Sequence, residues 1–189
     1  MRKAFILGVA GQIGLAIFLL TSHAQPVAQP PTRGDLLAGK LRTIEPKLAA
    51  AFAAMKEKAE GGDSAAQEDL SKWLIYGQGT PVDLKAAFEW AKKSAAAGNG
   101  KGQLHLGMLY RKGTGTEPDE KASNHWFAKA AQSLPAQVAK KDADAMLGLA
   151  LLYSRGWGGL EQDRVKALAL NRQAAEEGNP FGMVEVGDQ

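Results

Sequence analysis

The sequence predicts an all-α fold, an α/α superhelix (solenoid) of antiparallel helix pairs. Three observations lead there: the chain repeats at a constant offset, each copy carries two apolar helical faces around a glycine-rich break, and small and large residues recur at matched positions. Ala66-Gln67, Leu70, Gly77, Gly79, Asp83, Trp90 and Lys93 return 36 residues later, without a gap, as Gly102-Gln103, Leu106, Gly113, Gly115, Asp119, Trp126 and Lys129. A period of roughly 20–50 residues marks a stacked-repeat architecture. Such stacks present a binding surface more often than they house chemistry.

The pattern runs beyond the second copy. Ala145, Leu149, Tyr153, Gly156 and Gly158 match Gly102, Leu106, Tyr110, Gly113 and Gly115 at an offset of 43, so seven extra residues fall between copies two and three, around 132–140. Asp163 and Leu170 match Asp119 and Trp126 at an offset of 44. A fourth copy opens at Gly178-Asn179, and residues 54–63 align with 90–99. The expected arrangement is three full repeats with a half-repeat at each end.

Copy two justifies two helices per repeat. Asn99 and Gly100 break the preceding segment, and Gly102, Leu106, Leu109 and Tyr110 then share one face at helical spacing. Gly113-Thr114-Gly115 ends that helix, because glycine tolerates the left-handed conformation that closes one. Pro118 and Asp119 restart the chain as an N-terminal proline region and a cap. Ala122, Trp126 and Lys129-Ala130-Ala131 carry the second helix. Ala66, Gly102 and Ala145, with Ser71, Gly107 and Ala150, are small enough to let antiparallel helices approach. Trp90 and Trp126 are expected to fill the space between successive pairs, at roughly 2–3 kcal/mol for each buried indole. A lone helix pair could not hide its apolar face, so stability is expected to come from stacking.

Copy two, with Gly102, Leu106-Gly107, Leu109-Tyr110, Gly113, Gly115, Asp119, Trp126 and Lys129-Ala130-Ala131, resembles the Sel-one-like repeat family, a branch of the tetratricopeptide-type superhelices. Copy three repeats the pattern with Ala145, Leu149, Leu152-Tyr153, Gly156, Gly158, Asp163 and Lys166-Ala167, with Leu170 in the tryptophan position. Copy one is looser, with Ser71 at the glycine position and Leu74 at the tyrosine position. The resemblance covers roughly residues 50–189. It implies an adaptor or scaffold built for protein contact, and it does not name the partner.

The front of the chain reads as an export signal. Arg2 and Lys3 supply a positive start, residues 4–20 are apolar apart from Gly8, Gly11, Gln12 and Gly14, and Ser22-His23-Ala24 has small residues at the −3 and −1 positions of a cleavage site. The alternative, an uncleaved anchor of about 17 apolar residues, sits at the short end of the spanning range. Residues 25–34 (QPVAQPPTRG) form a Pro/Gln-rich tether. The repeat domain is expected over residues 35–189. Removing residues 1–24 takes away Arg2 and Lys3 and no acid, leaving 21 basic against 20 acidic residues. That near-neutral balance gives a nucleic-acid partner no support. The expected location is secreted across the inner membrane into the periplasm, with membrane contact only through the signal segment. The chain has no cysteine, so no disulfide or lipidated cysteine holds it, and the core alone must.

No catalytic constellation emerges, and the chain reads as a non-enzyme without cofactor or metal. Residues 34–40 (GDLLAGK) fit the first positions of a phosphate-binding loop, but Leu41 stands where a Ser or Thr should hold magnesium and no strand precedes it. His105 and His125, the histidines that outlast signal removal, read as solvated or capping groups. Asp83, Asp119 and Asp163 recur as helix caps. An envelope enzyme or peptidoglycan-binding protein is the alternative class, and it would need paired carboxylates distinct from caps.

The partner surface is expected on the first helix of each repeat, which lines the concave side of such stacks. If positions 66, 70, 73 and 74 face inward, positions 68, 72 and 75 point away at 100° per residue. These are Glu68, Lys72 and Ile75 in copy one, Leu104, Met108 and Arg111 in copy two, and Leu147, Leu151 and Ser154 in copy three. A solvated face should be polar, yet Leu104, Met108, Leu147 and Leu151 are not. They are expected either to floor a protein- or peptide-binding groove edged by Lys72 and Arg111, or to bury one another between neighbouring first helices. Two further candidates are the junction at 132–140 and Trp157, an aromatic in a turn. Phe181, Met183 and Val186 open a first helix with no second helix to cover it, which points to self-association through the C-terminal half-repeat or to an incomplete sequence.

Overall fold

The computed structural model describes the backbone of residues 33–184 and the side chains of residues 46–182. The expected signal segment, most of the tether, the side chain of Met183 and all of Val186 lie outside the described residues. The described helices are α1 (Arg33–Glu60), α2 (Ser64–Tyr76), α3 (Leu84–Ala96), α4 (Gly100–Lys112), α5 (Glu120–Val138), α6 (Ala143–Arg155), α7 (Arg164–Glu176) and α8 (Pro180–Val184). The described residues contain no strand. The described residues from Arg42 onward form one compact unit. The GDLLAGK segment lies within α1, not in the strand-to-helix loop that phosphate binding requires.

Each helix starts and stops where the sequence places its punctuation. Asp63, Asn99 and Asp142 cap the first helices, accepting from backbone N–H groups such as Ala65 at 2.9 Å, Lys101 at 3.0 Å and Ala145 at 3.0 Å. Asp83, Asp119 and Asp163 cap the second helices, each accepting from the N–H three residues on at 2.9 Å. A cap of this kind contributes about 1 kcal/mol. The first helices close on Gly77, Gly113 and Gly156, all left-handed with φ of 67°, 67° and 66°.

The second glycine of each break seats one repeat on the one before. A Cβ added to Gly79 would collide with the Leu48 carbonyl, one on Gly115 with the Leu84 carbonyl and one on Gly158 with the Phe127 carbonyl. Leu48 thus plays for the first break the part that Leu84 and Phe127 play for the next two. The C-terminal part of α1 therefore serves as the second helix of the upstream half-repeat. Gln67 Nε2 donates to Ala59 O at 3.0 Å, and Gln103 Nε2 to Ala95 O at 3.3 Å, tying each first helix to the preceding second helix.

Leu70, Leu106 and Leu149, one per repeat, are buried in the core, as are Ala66 and Ala145. Trp90 and Trp126 pack between successive pairs, Trp90 against the cluster of Ala59, Leu70 and Ala87 and Trp126 against that of Phe88, Ala91 and Leu106, but neither is fully buried. Both are half-buried and lie under lysines, with Lys93 Nζ 3.8 Å and Lys129 Nζ 4.7 Å from the ring centres. The aromatic that fills the interior is Phe127, fully buried against Leu134, Leu149 and Leu152.

The extra residues at 132–140 are not a protruding junction. They lengthen the second helix, because α5 runs for 19 residues against 13 for α3. Leu134 is fully buried, and Gln137 Nε2 donates to Asn99 Oδ1 at 3.2 Å. A Cβ on Gly100 would approach Leu134 N and Gln137 Oε1 to 2.9 Å. The glycine after Asn99 is thus required by the added turn of α5.

Helices pack chiefly on their sequence neighbours, but α2 also meets α4, and α4 meets α6. The second helices α3, α5 and α7 make no comparable contact with one another among the described residues. Stacking that brings first helices together and splays second helices puts the first helices on the inner side of the curve.

Candidate binding groove

Helices α2, α4 and α6 flank an open concavity of about 260 Å³ on this inner side. Leu104 and Met108 from α4 and Leu147 and Leu151 from α6 line it, with Gly148 between them. Lys72 and Glu68 come from α2, and Lys101, His105 and Asp144 complete the lining. Five of the seven residues expected at the partner surface, Lys72, Leu104, Met108, Leu147 and Leu151, thus meet around one concavity. The four apolar ones are all half-buried, so neighbouring first helices cover part of each and leave the remainder on the cavity. Gly148 matters to this floor, since a Cβ there would stand 2.8 Å from Leu104 Cδ2.

Arg111 and Trp157 are elsewhere and find each other. The Arg111 guanidinium carbon lies 4.4 Å from the centre of the Trp157 ring, and that indole stacks on Phe127 at 4.7 Å with 4° between the planes. Neither residue lines the cavity. Trp157 packs over its turn onto the core.

The helical wheel also assigned Glu68 to the outward face, and here the structure differs. Glu68 is only 3% exposed, because α4 of the next repeat closes over that side of α2. Lys72 sits 2.5 Å from its carboxylate. Burial dominates and holds the Glu68 carboxyl above its ordinary pKa, against the opposing pull of the Lys72 charge. Lys101 pairs with Asp142 at 2.9 Å. Burial opposes both charges, yet their mutual hydrogen bond and attraction hold Lys101 above and Asp142 below their ordinary values.

His105 is neither solvated nor a cap. It is half-buried, with Nε2 2.9 Å from Ser71 Oγ. The Ser71 hydroxyl donates its one proton to Ala87 O at 2.7 Å, so it must accept from His105. That fixes the neutral ring as the Nε2–H tautomer and leaves Nδ1 as a bare acceptor. Burial, then the charges of Lys72 and Lys112, lower its pKa to about 4. His125, by contrast, is exposed and meets Trp126 edge to face at 5.6 Å. No group of three or more His, Cys, Asp or Glu side chains suited to a metal occurs among the described residues, and no described helix is long and apolar enough to cross a membrane.

The helical wheel places Glu68 on this face without counting it as a contact residue, and sequence reasoning misses Lys101, His105, Asp144 and Gly148 as parts of this site. A stronger use of the 36-residue register would have found His105. Ser71 and His105 lie on successive first helices, and a buried hydroxyl facing a histidine one repeat on is a pair that stacking alone brings together.

The Sel1 repeat profile matches residues 64–99, 100–133 and 143–179, three copies that span more than half of the chain. The chain belongs to the Sel1 repeat family. Its boundaries agree with the three full repeats read from the sequence and built as α2–α3, α4–α5 and α6–α7. Sel1 repeat proteins generally mediate protein–protein interaction, and their scaffold is typically non-catalytic.

Among solved structures, the chain is similar to a Sel1 repeat protein from Oxalobacter formigenes, at 32% identity and a TM-score of 0.47 over 67% of this chain and 48% of that one. It is also similar to a protective antigen of uropathogenic Escherichia coli strains displaying an SLR fold, at 26% identity and a TM-score of 0.43 over 74% of this chain and 36% of that one. The chain thus spans less than half the length of either. No curated protein matches it.

Proposed function

We propose that this chain is an adaptor that binds a segment of a partner protein in the groove formed by α2, α4 and α6, and that it acts by binding without catalysis. The observation that carries this reading is the convergence of Leu104, Met108, Leu147 and Leu151 on one concavity of the inner face. Half-buried apolar side chains in a concave site with a few polar groups at its margin are what partner recognition uses. A polar cleft with two free carboxylates would favour an enzyme instead, and here Glu68 is committed to Lys72 and Asp144 accepts from Asn179 Nδ2 at 2.7 Å.

Export to the cell envelope is part of this proposal, supported by Arg2, Lys3, the apolar run and Ser22-His23-Ala24. Intact mass of the protein recovered from a fractionated bacterial host tests it. Cleavage after Ala24 in the periplasmic fraction is the expected result, and full-length protein in the cytoplasm sinks it. The adaptor reading is tested by affinity capture from an envelope extract, compared with a Leu104→Ser/Leu151→Ser double variant whose helicity is checked by circular dichroism. A partner held by the parent and released by a folded variant is expected. Equal capture by both would remove the groove from the account.

A second reading, self-association through the C-terminal half-repeat, draws on Phe181, which is 72% exposed. Sedimentation of the parent against Phe181→Ser decides it: an unchanged oligomeric state abandons this reading.

A further inference from the structure

The groove is apolar at its floor, but its charges say more about what it accepts. Every charged side chain lining it has a partner from this chain. Lys72 is committed to Glu68, Lys101 to Asp142 and Asp144 to Asn179. An acidic guest would have to break one of the two lysine pairs or enter uncompensated, against a steep desolvation penalty, and a basic guest would meet only Asp144, exposed to solvent, where a screened pair gains little. The neutral acceptor without a recorded donor is His105 Nδ1. Nε2 donates to Ser71, the ring lines the cavity, and no described residue donates to the other nitrogen.

The size of the space narrows the guest further. A dry apolar cavity of about 150 Å³ admits a benzene ring, so about 260 Å³ has room for one large side chain and its adjoining backbone. Met108 at the wall is unbranched and can adjust to more than one shape.

We infer that the groove takes a neutral, apolar side chain of a partner peptide, of leucine or methionine size, whose own backbone N–H donates to His105 Nδ1. This rests on the groove being the partner site. The apolar floor supplies burial, and the bare acceptor sets the depth and direction of the peptide. The paired lysines and the solvent-exposed Asp144 leave a charged anchor no buried counter-charge. His105 stays an acceptor at neutral pH because burial and the charges of Lys72 and Lys112 oppose its protonation.

The test uses the full chain with methyl- and nitrogen-labelled side chains and four blocked tripeptides, acetyl-Ser-X-Ser-amide, with X as Leu, Met, Asp or Lys. A fifth probe carries an ester oxygen in place of the Leu N–H. Leu and Met peptides should shift the methyl signals of Leu104, Leu147 and Leu151 but not those of Leu70. Asp and Lys peptides should bind at least tenfold more weakly. The ester should bind about fivefold or more weakly than the Leu peptide, the loss expected when a buried acceptor goes unpaired. The ring-nitrogen shifts of His105 should report the Nε2–H tautomer without any ligand.

If charged and apolar peptides bind alike, the groove still binds peptides but the neutral-guest inference falls. If the ester binds as well as the amide, or His105 carries its proton on Nδ1, the acceptor role falls. If no peptide moves the groove methyls, the groove reading and this inference fail together.

Discussion

Gly107 and Phe127 form one fit. A Cβ on Gly107 would come within 2.6 Å of two Phe127 ring carbons, so the largest fully buried side chain among the described residues lies against a residue with no side chain. In the register of copy one, the same two positions hold Ser71 and Ala91. Volume has moved from one helix to its partner, and the pair remains close-packed in both copies. Gly107→Ser is therefore expected to destabilise the fold by roughly 1–3 kcal/mol, the usual range for overpacking. Phe127→Ala should cost about 3–5 kcal/mol. The double variant rebuilds the copy-one arrangement and should recover at least about 1 kcal/mol relative to the sum of the two. Urea unfolding of the four proteins measures the coupling, and strict additivity would contradict the fit.

This pair also marks how far the sequence can be read. The 36-residue register located the helices, their aspartate caps and their closing glycines, because those signals are local and recur in every copy. It located the tryptophans between the pairs but not the aromatic that is fully buried. Trp126 repeats Trp90 and so drew attention, whereas Phe127 stands where copy one has Ala91 and is visible only when compensating changes across two helices are compared. Glu68 was misread for a related reason. A helical wheel describes one helix, and the burial of Glu68 comes from α4 in the next repeat. The insertion at 132–140 was legible as an excess of length, but its use as a helical extension depends on Gly100 giving way to Leu134 and Gln137.

The stability of the fold should fall as pH drops from about 6.5 to 4.5, with His105 as the cause. Its pKa in the folded chain is lowered to about 4 from an ordinary 6.5. Below pH 6.5 the unfolded chain therefore takes up a proton that the folded chain refuses, and stability is lost until the folded pKa is passed. By pH 4.5 the loss amounts to roughly 2–3 kcal/mol. Glu68 works in the opposite sense: its raised folded pKa makes the folded chain the first to be protonated, which adds stability as pH falls toward that value. Asp142, with a lowered pKa, contributes stability above its unfolded value and loses it only at still lower pH. His105→Gln keeps an N–H for Ser71 and does not titrate. Its unfolding free energy should be nearly flat or rise slightly from pH 6.5 to 4.5, so a parent profile equally flat would remove His105 from this role.

Trp157 is expected to contribute stability more than recognition. Its indole is held by Phe127 and Arg111, and Trp157→Ala should cost about 2–4 kcal/mol, somewhat less than for a fully buried aromatic. Arg111→Ala should cost about 0.5–1 kcal/mol, the worth of an exposed cation over a ring. Because both act through one contact, the two losses should not add. Neither variant should alter binding of the Leu tripeptide in the groove by more than about twofold. A tenfold loss with Trp157→Ala in a folded protein would return this residue to the partner surface.

Gly148 separates groove from fold more cleanly than any of the leucines. Removing Leu104 or Leu147 empties part of the core as well as the groove, since both side chains are half-buried. Gly148→Ala removes nothing. The added Cβ would stand 2.8 Å from Leu104 Cδ2, the far end of a flexible side chain, while its next neighbours, the Leu134 methyl carbons, are at 3.6 Å and unstrained. Leu104 must turn off the floor and into the space a guest would occupy. Alanine also suits a helix better than glycine by about 1 kcal/mol, which offsets the rotamer change. Thermal unfolding should move by only a few degrees in either direction, whereas binding of the Leu tripeptide should weaken at least tenfold, read from the Leu147 and Leu151 methyl shifts. If Gly148→Ala binds the peptide as the parent does, the guest does not sit on the Leu104 floor, and the contact surface must be sought on another part of the inner face.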